Sequence, residues 1–396
     1  MSRSRDVSQI LGKTEAANTG NLALVSSSFD SAEVVTLITA NSSNLDSADM
    51  QTISGQVSGN RNLLINGAMN VAQRGTSVAM AHDGTTSPYL IDRFKILFGG
   101  THEQLDGTYA QVADHPLSAN GKSLKWTTGT AESSYDADEY VYVTQIIEAQ
   151  NLQLLQYGNS NAQPITLSFY VKSSITGTFA VGFYKEDSTG RMFNKTYTIN
   201  SANTWEKKTL TFAGDTSGGG IDNNNGRGLY LSWHLSAGST WTGGGSTSGW
   251  VDYANNRWAD GQATNAIMTT ASATWQLAQC QLEIGDVATA FEHEDIGTTL
   301  AKCQRYFTDF LLSANNYMWC CVITGTNTYR RASVALPVQM RASATGTITG
   351  ATNGAFSSGY PLLEGNNKVQ EVNLGGDVTS SAGYAYFTKL QLDAEL

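Results

Sequence analysis

A chain of 396 residues, 40% of them hydrophobic, can bury one large core or two ordinary ones, which excludes a wholly disordered protein. A formal net charge of -10 argues against a nucleic-acid partner, which would need Lys and Arg to neutralise phosphates. No apolar run approaches the roughly 20 residues of a membrane helix, so membrane insertion is not expected.

Met1 to Arg5 lead into polar sequence rather than the apolar segment of a signal peptide, so synthesis and folding in a cytoplasm are expected. Residues 1–61 carry a small repeat, "FDSAEVVTLI" from Phe29 and "LDSADMQTI" from Leu45. Asp30 and Asp46 sit at N-cap positions, with Glu33 and Asp49 three residues later, so each block reads as a capped helix. The apolar faces, Val34, Leu37 and Ile38, then Met50 and Ile53, are narrow, and helices this short need a partner surface. An anchoring or trimerising segment is one reading; a partly disordered tail is the other.

From Asn62 the texture changes. "NLLINGAMNVAQRGTS" places Asn-Gly and Arg-Gly turns beside a short apolar run, and period two follows. In "ITLSFYV", Ile165, Leu167, Phe169 and Val171 share one face of a half-buried strand, with Thr166, Ser168 and Tyr170 on the other. "FAVGF" from Phe179 repeats the alternation. "LYLSWHL" aligns Leu229, Leu231, Trp233 and Leu235, and "AQCQLEI" aligns Ala278, Cys280, Leu282 and Ile284. Gly- and Asn-rich stretches between them supply turns, so residues 62–297 read as a β-sandwich. Trp126, Trp205, Trp233 and Trp275 lie in strand-like patterns and are expected in the core.

After "FEHEDIG", Leu300, Cys303 or Gln304, and Phe307 fall at helical spacing, a short hinge helix. Residues 298–396 then return to β character in "ASVALPVQM", "TGTITG" and "YAYFTKLQL", enough for a smaller β-domain. Cys280, Cys303, Cys320 and Cys321 show no metal-site spacing and are expected to be reduced and mostly buried.

No catalytic constellation is legible: H-E-x-x-H, G-x-S-x-G and a P-loop are missing, and His82, His102, His115, His234 and His293 are scattered singly. No cofactor or metal set is read. The acidic cluster "YDADEY", with Asp136, Asp138 and Glu139, suits a solvated turn or an oxygen-rich calcium site better than a catalytic pair. Binding has a stronger candidate in "WTGGGSTSGWVDYANNRW". Trp241, Trp250, Tyr253 and Trp258 stand in a Gly/Ser/Asn background that cannot form a core alone. Aromatic faces stack on the C–H face of a sugar, while Asp252, Asn255, Asn256 and Arg257 match its hydroxyls. For any single ring the alternative is that it folds back to cap the sandwich.

Taken together, "NLLINGAMNVAQRGTS", "YLIDRFKI", "LSFYVKSSITGTFAVGFY", "TWEKKTLTF", "QLEIGDVATAFEHEDIGTTLAKCQRYF" and the terminal "DAEL" resemble a widespread family of bacteriophage tail-fibre and appendage proteins. The residues 1–61 look like attachment segments of phages, including those infecting cyanobacteria. The resemblance implies a carbohydrate-binding-module-like jelly roll, a homotrimer, a place in the virion tail beside other tail proteins, and contact with host-surface polysaccharide. It implies no enzyme, with a connecting fibre or a polysaccharide depolymerase as the alternatives. Gln281, Glu283, Phe291, Asp92 and Arg93 within these motifs read as scaffold.

Overall fold

The computed structural model describes residues 61–81, 88–311, 329–350, 362–364, 371–377 and 389–396. The anchor candidates Val34, Leu37, Ile38, Met50 and Ile53 lie outside them, as do His82, Cys320 and Cys321. The strands in chain order are β1 (Ser77–Met80), β2 (Lys95–Gly99), β3 (Gly107–Val112), β4 (Ser123–Thr128), β5 (Tyr140–Glu148) and β6 (Ile165–Ser173). Then come β7 (Gly177–Lys185), β8 (Arg191–Ile199), β9 (Glu206–Phe212), β10 (Arg227–Ala237), β11 (Val251–Asp252) and β12 (Thr274–Ile284). They form two six-stranded antiparallel sheets, β1-β3-β4-β12-β6-β9 and β11-β8-β7-β10-β5-β2, a jelly-roll-like sandwich. Helix α1 (Ile296–Gln304) leads to β13 (Phe307–Leu311), β14 (Tyr329–Ala335), β15 (Thr345–Thr349), β16 (Leu362–Glu364), β17 (Glu371–Asp377) and β18 (Lys389–Asp393). These pair as two three-stranded sheets, β13-β18-β15 and β14-β17-β16. No described helix is long and apolar enough to cross a membrane.

Side chains alternate across a strand, so an apolar set at period two lands on one face. Ile165, Leu167, Phe169 and Val171 of β6 and Leu229, Leu231, Trp233 and Leu235 of β10 are all fully buried between the sheets. The Trp233 ring lies 5.9 Å from Phe169 of the opposite sheet and 6.2 Å from Phe94. Trp126 and Trp275 are core as expected, but Trp205 is half-exposed, just ahead of the edge strand β9. Its indole N–H donates to Asp114 at 3.2 Å, and Lys172 lies 5.0 Å above the ring.

Two parity expectations are corrected. β6 is not half-buried: Thr166 and Ser168 are buried too, and the Thr166 hydroxyl donates to the Gly285 carbonyl at 2.8 Å. In β12 the register with β6 shifts between Ala278 and Gln281, where Gln279 takes φ 47°. The bulge resets the alternation, so Leu277 joins the main cluster with Cys280 and Leu282, while Ala278 is fully buried outside that cluster. In α1 the inward side is Thr299 and Cys303, continued by Tyr306, while Leu300 is only half-buried. Asp295 caps the helix, accepting from Gly297 N at 2.8 Å. Cys280 and Cys303 are free and buried.

The segments that carry the family resemblance meet in space. Asn66 (φ 62°) closes its loop by accepting from Val71 N at 3.0 Å and donating to the Val71 and Asp92 carbonyls at 2.9 and 3.0 Å. Gly67 is obligatory because a Cβ there would sit 2.1 Å from the Cys280 carbonyl oxygen. Gln281 and Glu283 are buried beneath the segment that comes after β12. Glu283 accepts from Thr289 N at 2.8 Å, Gln281 accepts from Glu292 N at 2.7 Å, and Glu292 accepts from Asn62 N at 2.8 Å.

Asp92 and Arg93 do not pair with each other. Asp92 accepts from Gln73 N at 3.0 Å, and the Gln73 side chain reaches the Phe307 carbonyl at 2.8 Å. Arg93, 1% exposed, pairs with Glu395 and lies 3.5 Å over the Tyr306 ring. Arg74 reaches Asp393 at 2.9 Å and Glu395 at 3.4 Å, and Arg305 pairs with Glu148 through two bonds of 2.9 and 3.0 Å. Beyond this clasp β15 and β18 enclose a small cluster of Met340, Ala344, Leu390, Leu392 and Ala394.

Removing one partner of a buried ion pair strands the other charge, a loss of about 3–5 kcal/mol. Glu395→Ala is therefore expected to lower unfolding free energy by that order in a urea titration. Lys302→Ala, at the half-exposed pair with Glu294, is expected to cost less than about 1 kcal/mol. Equal losses in the two variants would contradict the clasp.

Candidate functional site

The parity that buries one face of β5, β7 and β10 turns their tyrosines to the other. Tyr140 and Tyr142 alternate with buried Val141 and Val143; Tyr184 comes after Phe183; Tyr230 lies between Leu229 and Leu231. Tyr184 and Tyr230 face each other directly across the β7–β10 pair. Gly99 of β2 opposes Tyr140, and a Cβ there would meet the ring at 2.0 Å, so the missing side chain leaves the ring room to lie on the sheet.

The aromatic loop after β10 folds over this face. Trp241 packs edge-on against Tyr140 at 4.6 Å and donates its indole N–H to the Asp138 carbonyl at 2.8 Å. Trp258 lies 5.7 Å from Tyr142, 5.5 Å from Tyr184 and 6.4 Å from Tyr230. Tyr253, 47% exposed, stands 5.3 Å from Tyr184, and its hydroxyl donates to Asn255 at 2.8 Å. The result is one continuous row of rings from Trp241 through Tyr140, Tyr142 and Trp258 to Tyr184, Tyr230 and Tyr253. Polar groups border it. Arg227 donates to the Tyr230 hydroxyl at 2.6 Å, which donates to Glu186 at 3.0 Å; Asn255 and Asn256 are exposed.

The loop is held from within. The buried Asp260 carboxylate accepts from Gly243 N at 3.0 Å and from the Ser246 hydroxyl at 3.2 Å, and Asn194 of β8 donates to that hydroxyl at 2.8 Å. Arg257 donates to the Gly244 carbonyl at 3.0 Å and to the Asp252 carbonyl, a framework role.

Trp241, Tyr253, Asn255 and Trp258 therefore share one face, with Asn256 exposed next to Asn255, but Trp250 does not. It turns back against Tyr157 and Phe193, at 5.5 and 5.8 Å, and donates its N–H to the Ala213 carbonyl at 2.7 Å, closing the sandwich edge. Exposed Asp252 pairs with Arg191 at 2.8 Å. Tyr140, Tyr142, Tyr184 and Tyr230 were not among the sequence candidates, although an aromatic at the outward parity of an otherwise apolar strand is a legible signal.

Beneath the row lies His234, 1% exposed and 5.5 Å from Tyr142. Burial pushes it down to about 3, against a hydrogen bond to the Trp258 backbone. Of the "YDADEY" acids, Asp136 and Asp138 are exposed while Glu139 turns inward toward His102 and Glu132. These three make the described group whose ligand atoms lie close enough together to hold a metal ion.

No protein-family model matches the chain, and no curated protein sequence matches it. Similar solved structures include the enzymatically active domain of tailspike protein 4 of bacteriophage CBA120, at 10% identity over 57% of this chain and 21% of that one, with a TM-score of 0.29. A sugar-binding protein assignment from Bacteroides thetaiotaomicron matches at 10% identity over 56% of this chain and 99% of that one, TM-score 0.30. A family 11 carbohydrate-binding module from Clostridium thermocellum in complex with a mixed-linked tetrasaccharide matches at 12% identity over 54% and 98%, TM-score 0.26. Scores this low carry no argument, and the site stands on its own geometry.

A histidine buried neutral contributes stability above its unfolded value of 6.5 that is lost as pH falls toward 3. Asp92 and Glu139, raised chiefly by burial to about 6 and about 7, slope the opposite way, gaining stability on acidification. The difference between wild type and His234→Gln isolates the histidine. It is expected to shift by about 1.4 kcal/mol per pH unit below 6.5, read by urea unfolding from pH 7 to pH 5. A pH-independent difference would contradict a neutral buried His234.

Proposed function

We propose that the aromatic face of the second sheet binds host-surface glycan and that the chain is a non-enzymatic subunit of a bacteriophage tail, a fibre or fibre adaptor that assembles as a trimer. The observation that carries the binding reading is the row of rings at neighbour spacings of 4.6 to 5.7 Å, bordered by Arg227, Glu186, Asn255 and Asn256. Sugar rings stack on such surfaces, and hydroxyls bond the flanking amides and charges. The tail placement, with residues 1–61 docking on other tail proteins, rests on the motif resemblance. Engagement of the acids bordering the face, Asp252 with Arg191 and Glu186 with Tyr230, favours binding over hydrolysis.

Incubating the purified chain with host-envelope polysaccharide and sizing the products tests both halves. Retention without shortening is expected; chain shortening would make the protein a depolymerase. One stacked ring is worth about 0.5–1.5 kcal/mol beyond its area, so Trp258→Ala or Tyr253→Ala is expected to weaken binding about 2- to 10-fold. Trp250→Ala is expected to lower the melting temperature and leave the affinity of the folded protein unchanged. Particle adsorption should fall more steeply than single-domain affinity, because linked sites act at high effective concentration. Affinity lost through Trp250 and kept without Trp258 and Tyr253 would move the site elsewhere.

A further inference from the structure

We propose that His102, Glu132 and Glu139 form a binding site for a divalent transition-metal ion of the zinc type. The three side chains come from separate segments, His102 just past β2, Glu132 beyond β4 and Glu139 immediately before β5, and are 6%, 3% and 1% exposed. Their ligand atoms all lie within 4.8 Å of one another. The imidazole Nδ1 stands 3.4 Å from one Glu132 oxygen and 3.5 Å from one Glu139 oxygen. These separations are too long for good hydrogen bonds, whose N···O distance is about 2.7–3.2 Å. They match the edge of a tetrahedron, since two ligands about 2.0–2.1 Å from one ion lie about 3.3–3.4 Å apart.

The charge balance points the same way. The His102 imidazole interacts with Glu132 and with the Tyr140 and Gly99 backbones, but neither ring nitrogen, nor buried Glu132 Oε2, makes a hydrogen bond of good geometry. Two carboxyl groups withdrawn from water beside an imidazole are costly without a counter-charge, and a dication between them offsets that cost. Outer contacts hold the ligands in place. Glu132 Oε1 accepts from Leu105 N at 3.0 Å and Glu139 Oε2 from Asp136 N at 2.8 Å, while Phe98 and Tyr135 flank the imidazole at 5.9 and 6.0 Å. An imidazole donor and only three protein ligands suit zinc-type ions, whereas calcium takes six to eight oxygens. The ion would brace one end of the aromatic row: Glu139 precedes Tyr140, and the neighbouring Asp138 carbonyl holds Trp241.

Equilibrium dialysis of the full chain against Zn2+ or Ca2+, with metal analysis and thermal melts, tests the site without any glycan. One Zn2+ per chain with a raised melting temperature is expected, and no such effect from Ca2+ at the same concentration. Glu132→Gln and His102→Gln are each expected to weaken zinc uptake tenfold or more. His115→Gln, which changes a histidine near His293 outside the cluster, is expected to leave uptake intact. Should the cluster variants not fold, the wild-type chain alone decides. Absence of zinc uptake by folded wild type, uptake that survives both cluster variants or disappears in His115→Gln, or stabilisation by Ca2+ alone would overturn the proposal.

Discussion

A single desolvated guanidinium organises this chain. Arg93 is stripped of water between the Glu395 carboxylate and the Tyr306 ring, from a backbone position at φ 72°. Burial, the largest single effect, lowers its affinity for a proton, but Glu395 together with Tyr306, Tyr89 and Cys303 outweighs that and holds it above the ordinary value. Because a buried charge without its partner is so costly, Arg93 ties the loop before β2 to Tyr306 just after helix α1 and to Glu395 after β18. Arg74 and Arg305 extend the same logic to Asp393 and Glu148, so the polar clasp, and not an apolar interface alone, joins the sandwich to helix α1 and strand β18.

The two faces of the second sheet are built from the same strands. β5, β7 and β10 each give aliphatic or aromatic side chains to the core and tyrosines to the outside, so strand register sets the core and the candidate site at once. A one-residue slip would exchange them. The aromatic loop then adds Trp241, Trp258 and Tyr253 to a floor the strands have already laid down.

Much of this was legible from alternation alone. The inward sets of β6 and of β10 up to Trp233 sit where period two places them, and Leu235 stays buried although the β10–β5 register shifts between His234 and Ser236. Ala278 is buried as expected, but the inward place of Leu277 was missed because a bulge is set by backbone conformation at Gln279, which no spacing reveals. Trp205 was misjudged because an edge position depends on which strand pairs with which, a non-local fact. The aromatic loop announced itself by composition, but composition could not separate Trp250, which has Phe193 and Tyr157 to pack on, from Trp258, which has the outer tyrosines. His102 lies well before Glu132 and Glu139 in the chain and meets them only through the fold, so no ligand spacing shows the three together.

The internal bracing of the aromatic loop makes the folded path of the loop and the character of its exposed crest separable variables. Asp260, Ser246, Asn194 and Arg257 fix its path, while Tyr253, Asn255 and Asn256 stand at its exposed crest. Replacements at an exposed crest usually change stability by no more than about 0.5 kcal/mol. Drift at those positions is thus nearly invisible to selection for a folded chain and fully visible to selection for what the face touches. The crest can diversify between close relatives while the brace beneath it stays fixed.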